Sequence, residues 1–228
     1  MKNVKAGKIY FYLGKKCILN DLNMNVEEGN IYGFLGANGS GKTTTIRIIS
    51  EVFKPNIGKI IKNSKIQDKK KIGYLFHRDS LYESLSALDN LELFAKLYNI
   101  NNKDQKISQL LKEVKLFDVK NDKVSTFSQG MKKRLSLSRV FLNNPYLAVL
   151  DEPFSGLDIE AKEWLINYIL DRNKTENMTF IISSHDIYEL SKICTKIGII
   201  SKGHIVKEQK IDYPLEPTYI EKLYKECQ

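Results

Sequence analysis

The chain has 228 residues, 42% of them hydrophobic and 28% charged, a balance that excludes wholesale disorder and fibrous architectures. Its formal charge of +9 comes from lysines spread along the sequence, and no nucleic-acid-binding motif accompanies it, so no specific nucleic-acid partner is implied. No apolar run reaches the roughly 18 to 20 residues of a membrane-spanning helix, and the N-terminus interleaves lysines with apolar residues in place of a signal peptide's unbroken core. A cytoplasmic protein is expected, with any membrane association peripheral.

In chain order, KIYFYL and CILNDLNMNV flank the turn-like Gly14-Lys15-Lys16 and read as a small antiparallel sheet. The run IYGFL before Gly36 reads as a buried strand, and TTTIRIISEVF has apolar residues at helical spacing until Pro55. From Ser86 to Asn99, Leu88, Leu91, Phe94, Ala95 and Tyr98 fall on one helical face. Residues 104–116 and 129–143 also read as helices. The strands YLAVL and MTFIISS then bracket a helix over about 159–170, and IGIIS and HIVKE close on each other around Gly203. Cys17, Cys194 and Cys227 are odd in number and lack CxxC spacing, so buried or inert thiols are expected, with neither a disulfide framework nor a zinc site.

This order predicts an α/β fold: a core of strand, loop and helix with an N-terminal antiparallel β subdomain and an inserted α-helical subdomain. The expected boundaries are 1–76 and 145–208 for the core and its β subdomain, 77–144 for the helical insertion and 209–228 for a short tail.

Gly36 to Thr43, GANGSGKT, fits the P-loop pattern GxxxxGK[ST] in full and lies between a predicted strand and a predicted helix. Glycines let successive N–H groups turn toward phosphate oxygens, and the helix N-terminus adds partial positive charge. Asn38, Gly39, Ser40, Gly41, Lys42, Thr43 and Thr44 form the expected cradle for ATP, with Lys42 on the β- and γ-phosphates and Thr43 on Mg²⁺. YLAVLDE supplies the complementary acidic pair at a strand end: Asp151 for the metal and Glu152 as general base. Together these define the core of a P-loop NTPase.

Three further segments narrow the class. Ser128-Gln129-Gly130 taken singly reads equally as a helix cap, Asp158 as an N-cap and His185 as a satisfied strand-end histidine. In combination, Phe127 to Met131 resembles the signature sequence of the ATP-binding cassette (ABC) family, Ser155 to Asp158 resembles its D-loop, and His185 resembles its switch histidine. The resemblance implies an ATPase subunit of a membrane transporter. A second such subunit would face it head to tail, with Ser128 and Gly130 on the γ-phosphate across the dimer and His185 on it in cis. It also implies a separate transmembrane permease, received near His77 to Leu85.

Two positions depart from the family pattern. His77 stands where a glutamine is common, a position expected to approach Mg²⁺ and attacking water. The adenine-stacking aromatic aligns with Leu13, with Tyr12 adjacent as the candidate ring. Gln129 and Met131 vary the signature in a way that resembles bacterial exporter ATPases of the drug, antibiotic and polysaccharide type.

Overall fold

The computed structural model describes residues 2–76 and 81–211, together with 222, 224 and 225. Strands β1 (Lys2–Leu13) and β2 (Lys16–Glu27) form the expected hairpin. Strand β3 (Ile31–Leu35) leads into helix α1 (Lys42–Ile49), and β4 (Ile57–Lys62) then joins the free edge of β1, giving an antiparallel sheet in the order β2-β1-β4.

Strand β5 (Ile72–Leu75) precedes three helices: α2 (Ala87–Tyr98), α3 (Lys103–Glu113) and α4 (Gln129–Phe141). The remaining elements are β6 (Leu147–Asp151), α5 (Ile159–Glu176), β7 (Thr179–Ser184), α6 (Ile187–Ile193), β8 (Lys196–Ser201) and β9 (His204–Lys210). The second sheet has the order β5-β6-β7-β3-β8-β9 and is parallel except for the closing β8–β9 hairpin.

Every residue of β3, β6 and β7 is buried. Such runs suit parallel strands covered on both faces. Alternate side chains feed two cores, as the period of two requires. Ala148, Leu150, Phe180 and Ile182 pack against the helical side with Leu91, Leu110 and Leu165. Leu147, Val149 and Ile181 pack the other way, against Ile46 and Ile49 of α1 and Ile9, Leu22 and Val26 of the antiparallel sheet. The molecule is thus three layers with the parallel sheet in the middle.

Helix α2 starts with a reciprocal capping box between Ser86 and Asp89 and buries Leu91 and Ala95, with Leu88, Phe94 and Tyr98 packed against the same core. Helix α1 stops at Ile49, short of the expected end before Pro55, because Ser50 caps it and Glu51 turns left-handed at φ 58°. Strand β4 and helix α6 are additions to the predicted elements. Gln209 and Lys210 belong to β9 and not to the expected tail. Cys194 is buried, whereas Cys17 is exposed. His77 lies outside the described residues. Among the described residues no helix is long and apolar enough to cross a membrane.

Candidate active site

The carboxyl ends of β3, β6 and β7 lie side by side, and the loops leaving them carry the predicted chemistry. In open α/β sheets this is where ligands bind. After β3 the chain folds tightly back on itself. A Cβ at Gly36 would come 2.5 Å from the Ile200 carbonyl and 2.7 Å from Ser40 Oγ, and Gly41 adopts φ 114° immediately before α1, so side chains are excluded at both points. Lys42 bends back over the loop, donating to the carbonyls of Gly36 at 2.7 Å and Ala37 at 3.2 Å. Ser40 is buried beneath it and joined through its carbonyl to the N–H of Gly203.

At the end of β6, Asp151 is buried and accepts from two hydroxyls, Thr43 at 3.2 Å and Ser183 at 2.6 Å. Ser183 stands directly opposite Asp151 in the parallel register, and its oxygen also accepts the backbone N–H of Glu152 at 2.9 Å. Glu152 holds a left-handed φ of 48°, a conformation that costs a non-glycine residue ~1–3 kcal/mol and persists where surroundings enforce it. Its carboxylate meets Lys42 Nζ at 3.6 Å and His185 Nδ1 at 2.9 Å. Five of the expected residues, Lys42, Thr43, Asp151, Glu152 and His185, therefore form one connected cluster.

The cleft above this cluster has a volume of about 530 Å³ and is lined by Asn38, Gly39, Gly41, Lys42, Thr43, Thr44, Glu152, Ser155 and His185, with Lys16 and Ile18 from β2 at one side. Neither Tyr12 nor Leu13 lines it. Cross-strand pairs share a face, and Tyr12 pairs with Cys17 while Leu13 pairs with Lys16. The register thus puts Leu13, and not Tyr12, on the face of Lys16, despite an irregularity between Phe11 and Tyr12.

Ser128 and Gly130 also lie outside the lining of this cleft. Ser128 is the N-cap of α4, its Oγ accepting from Met131 N at 3.2 Å. Asp158 caps α5 through Ala161 N at 2.8 Å. Sequence reasoning missed Ser183, Lys16 and Ile18. Ser183 was recoverable from register alone, since a strand beside β6 must place some residue opposite Asp151.

The family model described as ABC transporter matches residues 19–155, from β2 through the P-loop and the helical insertion to just past the acidic pair. The chain belongs to the ABC transporter family. The lantibiotic transport ATP-binding protein SrtF of Streptococcus pyogenes is 36% identical over 203 residues, covering 87% of each chain. The bacitracin transport ATP-binding protein BcrA of Bacillus licheniformis is 36% identical over 220 residues, covering 93% of this chain and 70% of its own. Among solved structures, a dimeric ATP-binding cassette in a post-hydrolysis state bound to ADP and Pi superposes with a TM-score of 0.82 at 26% identity, over 92% of this chain and 99% of that one. As an ABC cassette, the chain is the ATP-binding, ATP-hydrolysing subunit of a transport system.

Proposed function

We propose that this cassette works as one of two head-to-tail subunits at the cytoplasmic face of the membrane. In this reading they sandwich MgATP and drive a separate permease that exports antibiotic-like cargo. The observation that carries it is the split of the machinery within one chain. The phosphate cradle and hydrolytic groups converge on one cleft, whereas Ser128 and Gly130 stand apart from it at the start of a 13-residue helix. The cargo class rests on the likeness to the lantibiotic and bacitracin transport subunits.

In this reading the loop N–H groups and Lys42 hold the β- and γ-phosphates. Glu152 accepts the proton of the water that attacks the γ-phosphorus, releasing ADP and phosphate. A His185 ring protonated at both nitrogens donates from Nδ1 to the Glu152 carboxylate and from Nε2 to the γ-phosphate. The converging oxygens of Thr43 and Asp151, 3.2 Å apart, suit Mg²⁺, which takes few protein ligands beside substrate phosphates and water. When bound, the ion neutralises phosphate charge. The helical segment 77–144 would receive the permease along His77 to Leu85. Residues 77–80 of that stretch lie outside the described residues, and Tyr82 is exposed.

ATP favours the closed pair through contacts that exist only with a γ-phosphate present, and hydrolysis removes them. Complementation tests the arrangement. Lys42→Ala and Ser128→Arg subunits should each be inactive alone, while a mixture regains ATPase activity through the one composite site that has both an intact P-loop and an intact signature. A mixture as silent as its parts counts against the head-to-tail pair. Purification from detergent-solubilised membranes should bring down a multi-span protein, and recovery without one counts against the permease.

A further inference from the structure

Glu189 is a carboxylate on α6 with only 4% of its surface exposed. A buried charge of this kind is costly unless paired and hydrogen-bonded. Both oxygens are engaged. Oε2 accepts from the Ser184 hydroxyl at 2.8 Å, and Oε1 meets Lys162 Nζ at 2.7 Å, a contact that raises the lysine's pKa.

Each partner leads toward the active site. Ser184 ends β7 immediately before His185, and its oxygen accepts the N–H of Asp186 at 3.0 Å, so this hydroxyl ties the residue before the histidine to the backbone just after it. Lys162 lies in the first turn of α5, where its own N–H bonds to the carbonyl of Asp158 at 3.0 Å. That aspartate follows the turn that carries Ser155 and Gly156, and Ser155 lines the cleft. A continuous path therefore runs from the turn through Lys162, Glu189 and Ser184 to His185, which ends on Glu152.

We propose that Glu189 is a positioning residue that fixes His185 through Ser184 and, through Lys162, couples this histidine to the segment Ser155–Asp158. The inference rests on the reading of His185 as a group that acts on Glu152 and the γ-phosphate. Glu189 touches neither. Its effect is on the histidine's backbone, and a shift of Ser155–Asp158 when a second subunit docks reaches His185 by the same path. Truncating Glu189 leaves the Ser184 hydroxyl without its acceptor and Lys162 without the carboxylate it hydrogen-bonds.

The test measures steady-state ATP hydrolysis by the purified chain with Mg²⁺, with unfolding midpoints recorded alongside. Glu189→Ala should lower kcat about tenfold, the lower end of what loss of an orienting outer partner costs, while KM for ATP stays within about twofold of wild type because the phosphate cradle is untouched. Glu189→Gln keeps an acceptor for Ser184 but loses the charge facing Lys162, so it and Lys162→Met should fall between. These milder variants serve if the alanine variant folds poorly.

The deciding comparison is in the His185→Ala background, where Glu189→Ala should cause no further loss, since a residue acting only through the histidine has nothing left to position. An undiminished kcat in Glu189→Ala, or losses that multiply with those of His185→Ala, overturns the proposal. If His185→Ala itself turns over at the wild-type rate, the role assigned to His185 fails first and the positioning claim with it. That outcome is distinct from a silent Glu189 beside an essential histidine.

Discussion

The nucleotide machinery proposed for this chain is built in two ways. At the ends of β3, β6 and β7, the polar groups complete one another: Asp151 takes two hydroxyls, Ser183 bridges Asp151 to the backbone of Glu152, and Glu152 meets Lys42 and His185. At the start of α4, the Ser128 hydroxyl bonds to the N–H of Met131 in its own helix, and among the described residues a Cβ placed on Gly130 would find nothing nearer than 3.7 Å. The strand-end cluster is pre-organised by folding, since its strands are buried on both faces and locked in register. The helix start is locally satisfied and open, which is what a surface needs if its ligand arrives on another molecule. Substitutions should therefore act differently in the two places.

The largest effect belongs to the strand ends. Glu152→Gln keeps the size and hydrogen-bonding capacity that face His185 but removes the basic oxygen, so ATP hydrolysis should fall about 10²- to 10⁴-fold, the usual worth of a positioned acid–base group. ATP affinity measured by calorimetry should change little. ATP added to this variant should also accumulate a stable dimer in size-exclusion chromatography. Near-normal turnover would remove Glu152 as the base and, with it, the claim that this cluster is the chemically complete half.

This cluster was largely legible before the fold was seen, because its parts are contiguous in sequence: a full P-loop, an acidic pair after an apolar strand, and a histidine after another. Strand β3 and its neighbours were legible for a related reason, since IYGFL, YLAVL and MTFIISS are short apolar runs of the kind parallel strands require. Less legible were elements whose partners lie far away. Strand β4 carries exposed Ile57 and Ile61 and shows no clean alternation, so only its pairing with β1 defines it. Helix α6 has seven residues, too few for periodicity to register. The link from Lys162 to Glu189 spans two helices that no motif connects.

At the helix start the useful variants are those that separate capping from recognition. Ser128→Ala removes a side-chain cap and should cost ~0.5–2 kcal/mol of stability, read as a lowered midpoint in urea. Aspartate caps as well as serine does, so Ser128→Asp should unfold near wild type. Its carboxylate would face the partner's γ-phosphate, however, and ATP-driven dimer formation should be lost although each subunit still binds ATP. If Ser128→Asp dimerises with ATP as wild type does, Ser128 is a cap and nothing more. The asymmetry between the two regions would then lose its functional meaning.

The smallest effect lies at the edge of the cleft, where β2 meets it. Lys16 and Ile18 line the cleft, and Leu13 shares the face of Lys16 because the two are cross-strand partners. Tyr12 pairs with Cys17 and is 41% exposed, while Leu13 is 68% exposed. A base held above Lys16 would thus meet the side chain of Leu13, which offers apolar contact but no ring. Stacking a base on an aromatic side chain is worth ~1–3 kcal/mol, so Leu13→Tyr should tighten ATP binding by about tenfold in calorimetry, at the low end of that range. Tyr12→Ala should leave the affinity within about twofold of wild type, because its ring lies on the other face. Labelling of Cys17 with a maleimide, in a Cys227→Ser background, reports on the face shared with Tyr12 and should proceed at the same rate with and without ATP. Protection of Cys17 by ATP, together with weakened binding in Tyr12→Ala, would show that the strand irregularity between Phe11 and Tyr12 turns the tyrosine into the cleft after all.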